Sequence, residues 1–170
     1  MAATGASRVR DREPTTTTAE VRRFRNLVEK GEAAQNRHVA LVGLRTYDTR
    51  QLVRKVEKGL SFRAFERMQA NLGMPAQRLA ELVDISPRTL ARRRERGLLD
   101  AAQSDRLLRA SRLLGGAIEL FEGDDEAARN WLRTPQRGLG GEIPLDLART
   151  ELGAREVERL IGRLEHGVFA

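Results

Sequence analysis

Cysteine is absent from the 170 residues, so neither a disulfide nor a thiolate nucleophile or metal site is open to this chain. Histidine occurs only as His38 and His166, near opposite ends. No catalytic residue, metal ligand or cofactor is therefore expected, because imidazole chemistry needs a partner close by. Aromatic residues make up 4% of the chain, too few for a stacking platform on single-stranded nucleic acid. The longest apolar run, VALVGL from Val39, is far shorter than the roughly 20 residues that cross a bilayer. Arg8 and Arg10 are not followed by an apolar core segment, which argues against a secretory signal. Asp11, Glu13 and Glu20 argue against an organellar leader. These absences predict a soluble, cytoplasmic protein with no membrane partner.

What is present is charge, unevenly placed. The net charge is +7, yet residues 1–60 hold 13 Lys/Arg against 7 Asp/Glu, residues 61–115 hold 11 against 6, and residues 116–170 hold 7 against 11. A basic front neutralises phosphates, whereas an acidic back repels them and is free for protein. Solvation of helix faces is the plainer reading of any single charge run.

Residues 1–35 lack an apolar period and predict a mostly disordered tail, with a short helix near Val21–Val28. An extended or loop segment is expected at His38–Leu44. From Asp48 onward the pattern is one of short capped helices. Asp48 or Thr49 opens a helix ending at Gly59, and Ser61 opens one carrying Phe65, Met68 and Leu72. Pro75 and the pair Ser86-Pro87 open two more. Asp100 starts a longer helix with Leu107, Leu114, Ile118 and Phe121 on one side, and Gly115-Gly116 predicts a bend in it. Asp124, Pro144 and a final segment with Val157, Leu160, Ile161 and Leu164 complete the set. No alternating pattern competes, so the fold class is all-α.

Ala76–Gly97 has the makings of a helix-turn-helix. Ala80 is small enough for a close helix crossing, Asp84 tolerates a positive φ in the turn, and Leu79, Val83, Ile85 and Leu90 close the corner. The second helix then offers Arg88, Thr89, Arg92, Arg93 and Arg94 to a major groove. Of these, Arg88, Thr89, Arg92 and Arg93 are the candidate contacts to double-stranded DNA. An ordinary helical hairpin with a solvated arginine face is the alternative.

Beyond this, an ordered string of residues carries a resemblance. Trp131-Leu132, Pro135, Leu139-Gly140-Gly141, Pro144, Asp146-Leu147, Thr150, Gly153-Ala154, Val157 and Glu165-His166-Gly167 resemble the toxin-binding domain of the Xre/MbcA/ParS antitoxins. Gly59–Phe62, SPRTLARRR from Ser86, and Ser104-Asp105-Arg106 resemble the Xre-like helix-turn-helix of the same family. The similarity covers roughly residues 45–170, and Asp84 departs from the glycine usual at the turn.

Beyond the tail expected over residues 1–35, which it does not cover, the resemblance implies an Xre-like DNA-binding domain over 36–115 and a toxin-binding domain over 116–170. It implies the antitoxin of a type II toxin–antitoxin system whose toxin is of the RES type and degrades NAD or transfers ADP-ribose from it. The antitoxin would cover the toxin's NAD site and repress the shared operon at operator DNA, without being an enzyme. Candidate toxin contacts, placed at the C-terminal end, are Arg159, Arg163, Glu165, His166, Val168 and Phe169. An acidic helical module would complement the positive cleft that binds NAD phosphates. Two helix-turn-helix copies are needed to read a two-fold operator, which predicts a homodimer within a toxin–antitoxin hetero-oligomer. Its contact is expected on the apolar face of the Asp100–Phe121 helix or on the C-terminal module. A stand-alone helix-turn-helix regulator without a toxin, and a small enzyme, are the competing readings.

Overall fold

The computed structural model describes residues 17–167, and within them local chemistry accounts for most helix boundaries. Thr18 accepts a hydrogen bond from the Val21 amide and opens α1, Ala19–Glu29. A 3-10 turn follows at Arg37–Val42. Asp48 caps α2, Thr49–Lys58, and Gly59 ends it. Next come α3, Phe62–Leu72, and α4, Ala76–Leu82. Ser61 precedes α3 without a capping side-chain bond; its backbone instead forms an isolated antiparallel bridge with Leu98. Ser86 and Pro87 begin α5, Pro87–Arg96. A reciprocal capping box between Asp100 and Gln103 starts α6, Ala101–Leu120. Asp124 caps α7, Asp125–Arg133, and α8, Pro144–Leu147, leads to α9, Glu151–Glu165, capped by Thr150. The fold is all-α, and among the described residues no helix is long and apolar enough to cross a membrane.

The axis is α6, about 30 Å long at 1.5 Å per residue. Leu107, Leu113, Leu114, Ala117 and Ile118 on it are at most 1% exposed, and the 3-10 turn, α2, α3, α7 and α9 all pack against it. This corrects one expectation: the apolar face of the Asp100 helix is consumed by the chain's own core and offers no dimer contact. Gly115-Gly116 does not interrupt the helix. A Cβ at Gly115 would lie 3.2 Å from the Phe24 ring, and one at Gly116 3.4 Å from Ile161, so the pair lets α1 and α9 approach the axis closely. The boundary expected after residue 115 falls inside this helix, and the buried residues on both sides of it form one cluster.

Two further expectations change. Residues 1–16 lie outside the described residues; the short helix expected near Val21–Val28 is present as α1, but it is packed rather than part of a disordered tail, with Val21 and Phe24 fully buried. One apolar stripe on an otherwise charged helix too short for a clear period is enough once a groove exists to receive it. Likewise His38–Leu44 is largely helical rather than extended, because Val39–Val42, all fully buried, are enclosed by α1, α3 and α6.

A buried polar knot ties these pieces together. Arg129, 2% exposed, donates to Asp125 at 2.6 Å and to the Asn71 carbonyl at 3.3 Å. Asn71, fully buried, donates its amide to the Leu41 carbonyl and accepts from Thr18. Thr17 donates to Asp125 at 3.1 Å. Removing one partner of a buried pair strands the other charge. Asp125→Ala is therefore expected to cost about 3–5 kcal/mol in urea unfolding. A loss no larger than that of an exposed control such as Glu126→Ala would show that the knot does not hold the fold.

The same core sets a pH dependence. Burial, reinforced by the positive charge of Arg112, lowers the His38 imidazole from 6.5 to about 4. The folded chain keeps the ring neutral while the unfolded chain protonates it. Stability from His38 is thus complete above pH 6.5 and lost as pH falls toward about 4. His38→Gln should flatten the dependence of the urea midpoint on pH between 6.5 and about 5, above most carboxylate titration. An equal slope in wild type and variant would rule the ring out as its source.

Candidate DNA-reading helix and toxin-facing surface

The α4–turn–α5 corner closes as the residue types require. Leu79, Ala80, Val83, Ile85 and Leu90 are buried, and the Ile85 amide donates to the Ala80 carbonyl at 2.8 Å. Asp84 takes φ +57° in the turn, the left-handed conformation for which Gly is usual and Asp tolerable. Its carboxylate lies 3.5 Å from Arg106 of α6.

The arginines of α5 divide by their angle from Leu90. At about 100° per residue, Arg88 and Arg92 lie some 160° from it, on the outer face, and both are exposed. Arg96 extends that stripe at i, i+4, i+8 and is exposed too. Arg88, Arg92 and Arg96 form no ion pair or hydrogen bond among the described residues. Arg93 and Arg94 lie within about 60° of Leu90. Arg93 turns inward, its side chain 15% exposed, and donates to Asp100 at 2.6 Å. Arg94 lies over the Phe62 ring, 5.5 Å from its centroid. Thr89 is partly buried in the cap, its amide and hydroxyl both bonded to Ser86 Oγ. Of the four residues foreseen, the structure leaves Arg88 and Arg92 free, makes Arg93 a clamp between α5 and α6, and adds Arg96. Counting helical angles from Leu90 is the sequence signal that separates them.

In the C-terminal part, Gly153, Ala154, Val157, Leu160 and Ile161 form the buried face of α9. Trp131 packs against the core beside Phe121, with ring centroids 6.5 Å apart. Gln136 holds the following loop by donating to the carbonyls of Trp131 and Thr134. Arg159 is exposed and paired with Glu156. Arg163 is half-buried, its Nε without a partner among the described residues. His166 is the C-cap of α9, and Val168 and Phe169 lie outside the described residues. Glu165 lines two neighbouring clefts of about 240 and 400 Å³. Arg37, His38 and Glu158 line the first and Arg25 and Glu122 the second, neighbours that only long-range packing supplies.

The acidic excess of residues 116–170 is largely paired within the chain. Arg37 bonds Glu119, Arg78 bonds Asp146, Arg112 bonds Glu158, and Arg109 bonds Glu151 at 2.8 Å. Partial burial acts to raise the Glu151 carboxyl, but the Arg109 hydrogen bond and the charges of Arg112 and Arg109 outweigh it and hold it below the usual range. Glu122, Asp124, Glu126, Glu142 and Glu165 form no ion pair among the described residues and carry the negative field that reaches solvent.

Two family models match the chain. Residues 51–112 match the antitoxin Xre-like helix-turn-helix domain. Residues 116–167 match the antitoxin Xre/MbcA/ParS C-terminal toxin-binding domain. An Antitoxin Xre of Yersinia enterocolitica is 38% identical over 120 residues, spanning 70% of this chain and 81% of its own. An Antitoxin Xre of Photorhabdus laumondii is 41% identical over 75 residues, 44% of this chain and 51% of its own. A Prs ADP-ribosylating antitoxin of Sphingobium is 25% identical over 124 residues, 68% of this chain and 78% of its own. A helix-turn-helix with a free arginine stripe, joined through α6 to a toxin-binding domain, thus places the chain in the Xre family of antitoxins of toxin–antitoxin systems.

Proposed function

We propose that this antitoxin neutralises a RES-type toxin by covering its NAD site, and that it represses its own operon in the cytoplasm through α5. The observation that carries the DNA half is the unpaired stripe Arg88, Arg92 and Arg96 on an exposed helix face. The toxin half rests on the match of residues 116–167 to a toxin-binding domain and on the residue-level resemblance to antitoxins of RES toxins. The Sphingobium relative's name links one antitoxin of this kind with ADP-ribosylation, which is in keeping with an NAD-consuming partner. In this reading the chain acts by binding alone. It works as a homodimer, since one α5 reads only a half-site.

The operator reading has a direct test. Replacing Arg88, Arg92 and Arg96 by alanine should weaken operator binding about tenfold or more and flatten its salt dependence, by roughly 0.9 in log–log slope for each phosphate no longer neutralised. Arg93→Ala should lower the melting temperature and leave that slope unchanged. The reverse pattern in gel-shift titrations would move the reading face to the other side of α5. For the toxin, deletion of residues 165–170 should abolish growth rescue at equal expression and leave operator affinity nearly unchanged. Full rescue by the truncated chain would assign inhibition to the body of the C-terminal part, and light scattering that finds a monomer alone and with toxin would exclude the dimer.

A further inference from the structure

Away from α5, a cleft of about 230 Å³ opens where α1, the 3-10 turn and α3 meet. Three arginines from three separate stretches line it, Arg23, Arg45 and Arg67, with Glu20 as the one carboxylate among the lining residues. Arg67 Nε lies 3.2 Å from Glu20. Arg23 and Arg45 have no hydrogen bond or ion pair among the described residues. Gly43 builds the floor. Its φ is +81°, and a Cβ there would lie 2.2 Å from Arg67 Nη1, so the guanidinium reaches across the backbone where a side chain is missing.

Guanidinium groups stay charged at all accessible pH, so three of them around one carboxylate leave an uncompensated positive field. An anion entering the cleft removes that repulsion, and the planar N–H forks match phosphate oxygens in pairs. The cleft is smaller than the roughly 300 Å³ lower bound of pockets for drug-sized ligands, which favours a compact anion over an extended one. Its direction separates it from the DNA face. Arg67 follows Phe62 by five residues, about 140° around α3, and Phe62 is the ring that Arg94 of α5 covers. Arg23 and Arg45 also lie outside both segments matched to the antitoxin domains.

We propose that the Arg23–Arg45–Arg67 cleft is a binding site for a small phosphate-bearing anion, distinct from the DNA site on α5. The site is independent of the toxin's identity and of operator binding.

Inorganic pyrophosphate, with inorganic phosphate as a second probe, is titrated calorimetrically into the full chain. Three proteins are compared: wild type, Arg23→Ala/Arg45→Ala, and Arg88→Ala/Arg92→Ala/Arg96→Ala. Wild type is expected to bind one pyrophosphate, with phosphate weaker. The cleft variant should bind at least about tenfold more weakly, as the loss of charge-assisted hydrogen bonds implies, and the α5 variant as wild type does. Both altered cleft residues are solvent-facing at least in part, and an unchanged melting temperature of the variant without ligand verifies that it folds. No binding at millimolar pyrophosphate, or binding lost in the α5 variant and kept in the cleft variant, overturns the proposal. A third arm measures a non-specific DNA duplex. A cleft variant that loses duplex affinity while keeping pyrophosphate binding would make these arginines DNA-backbone contacts and also overturn it.

Discussion

A guanidinium 2% exposed to solvent is tolerable only if its charge is matched, and Arg129 is matched by Asp125 at 2.6 Å inside the protein. Around that pair the chain brings together parts far apart in sequence. Asn71 of α3 offers its carbonyl to Arg129 and its side-chain amide to Leu41, while Thr17 and Thr18 reach in from the start of α1. Hydrogen bonds are directional where apolar contacts are not, so the knot fixes the register of α1, α3, the 3-10 turn and α7 on one another. The helix-turn-helix and the C-terminal part are thereby anchored to the same polar centre.

The apolar core performs the complementary task. α6 serves both parts at once, packing with α2 and α3 as well as with α7 and α9. The glycine pair at its centre admits Phe24 on one side and Ile161 on the other. A methyl group at Gly115 would press on the Phe24 ring and His38 Cβ, whereas one at Gly116 would just touch Ile161. In a close-packed interior such pressure forces side chains off their rotamers and shifts the backbone. The two matched segments, residues 51–112 and 116–167, thus meet within one helix.

Electrostatics sorts the surface in the same way. On α5, proximity to Leu90 decides fate: Arg93 and Arg94 are drawn to Asp100 and Phe62, and the outward stripe stays free for phosphates. On α9, arginines of α6 neutralise Glu151 and Glu158, which leaves Glu165 and Glu122 facing the clefts beside α1. The negative segment is thus less negative, and more sharply localised, than its composition suggests.

Most helix boundaries were legible in the sequence because they depend on neighbours in the chain. Asp48, Ser86-Pro87, Asp100 and Asp124 cap helices through bonds to residues two or three positions on. The turn at Asp84 and the buried corner of the helix-turn-helix were legible for the same reason. The ordered motifs of the C-terminal part pointed to the antitoxin family, and the matched segments agree. The rest depended on pairs that sequence order does not reveal. A short helix near Val21–Val28 was legible, but not that distant helices bury Val21 and Phe24 of it, nor that Val39–Val42 form a buried 3-10 turn. Arg93 became a clamp because the fold brings Asp100 within reach, and Glu165 came to line one cleft with His38 and Arg37 because α9 and the Arg37–Val42 turn both pack on α6. Helical caps are settled within a turn of chain, whereas the fate of a charge is settled by whichever opposite charge the fold brings within about 4 Å.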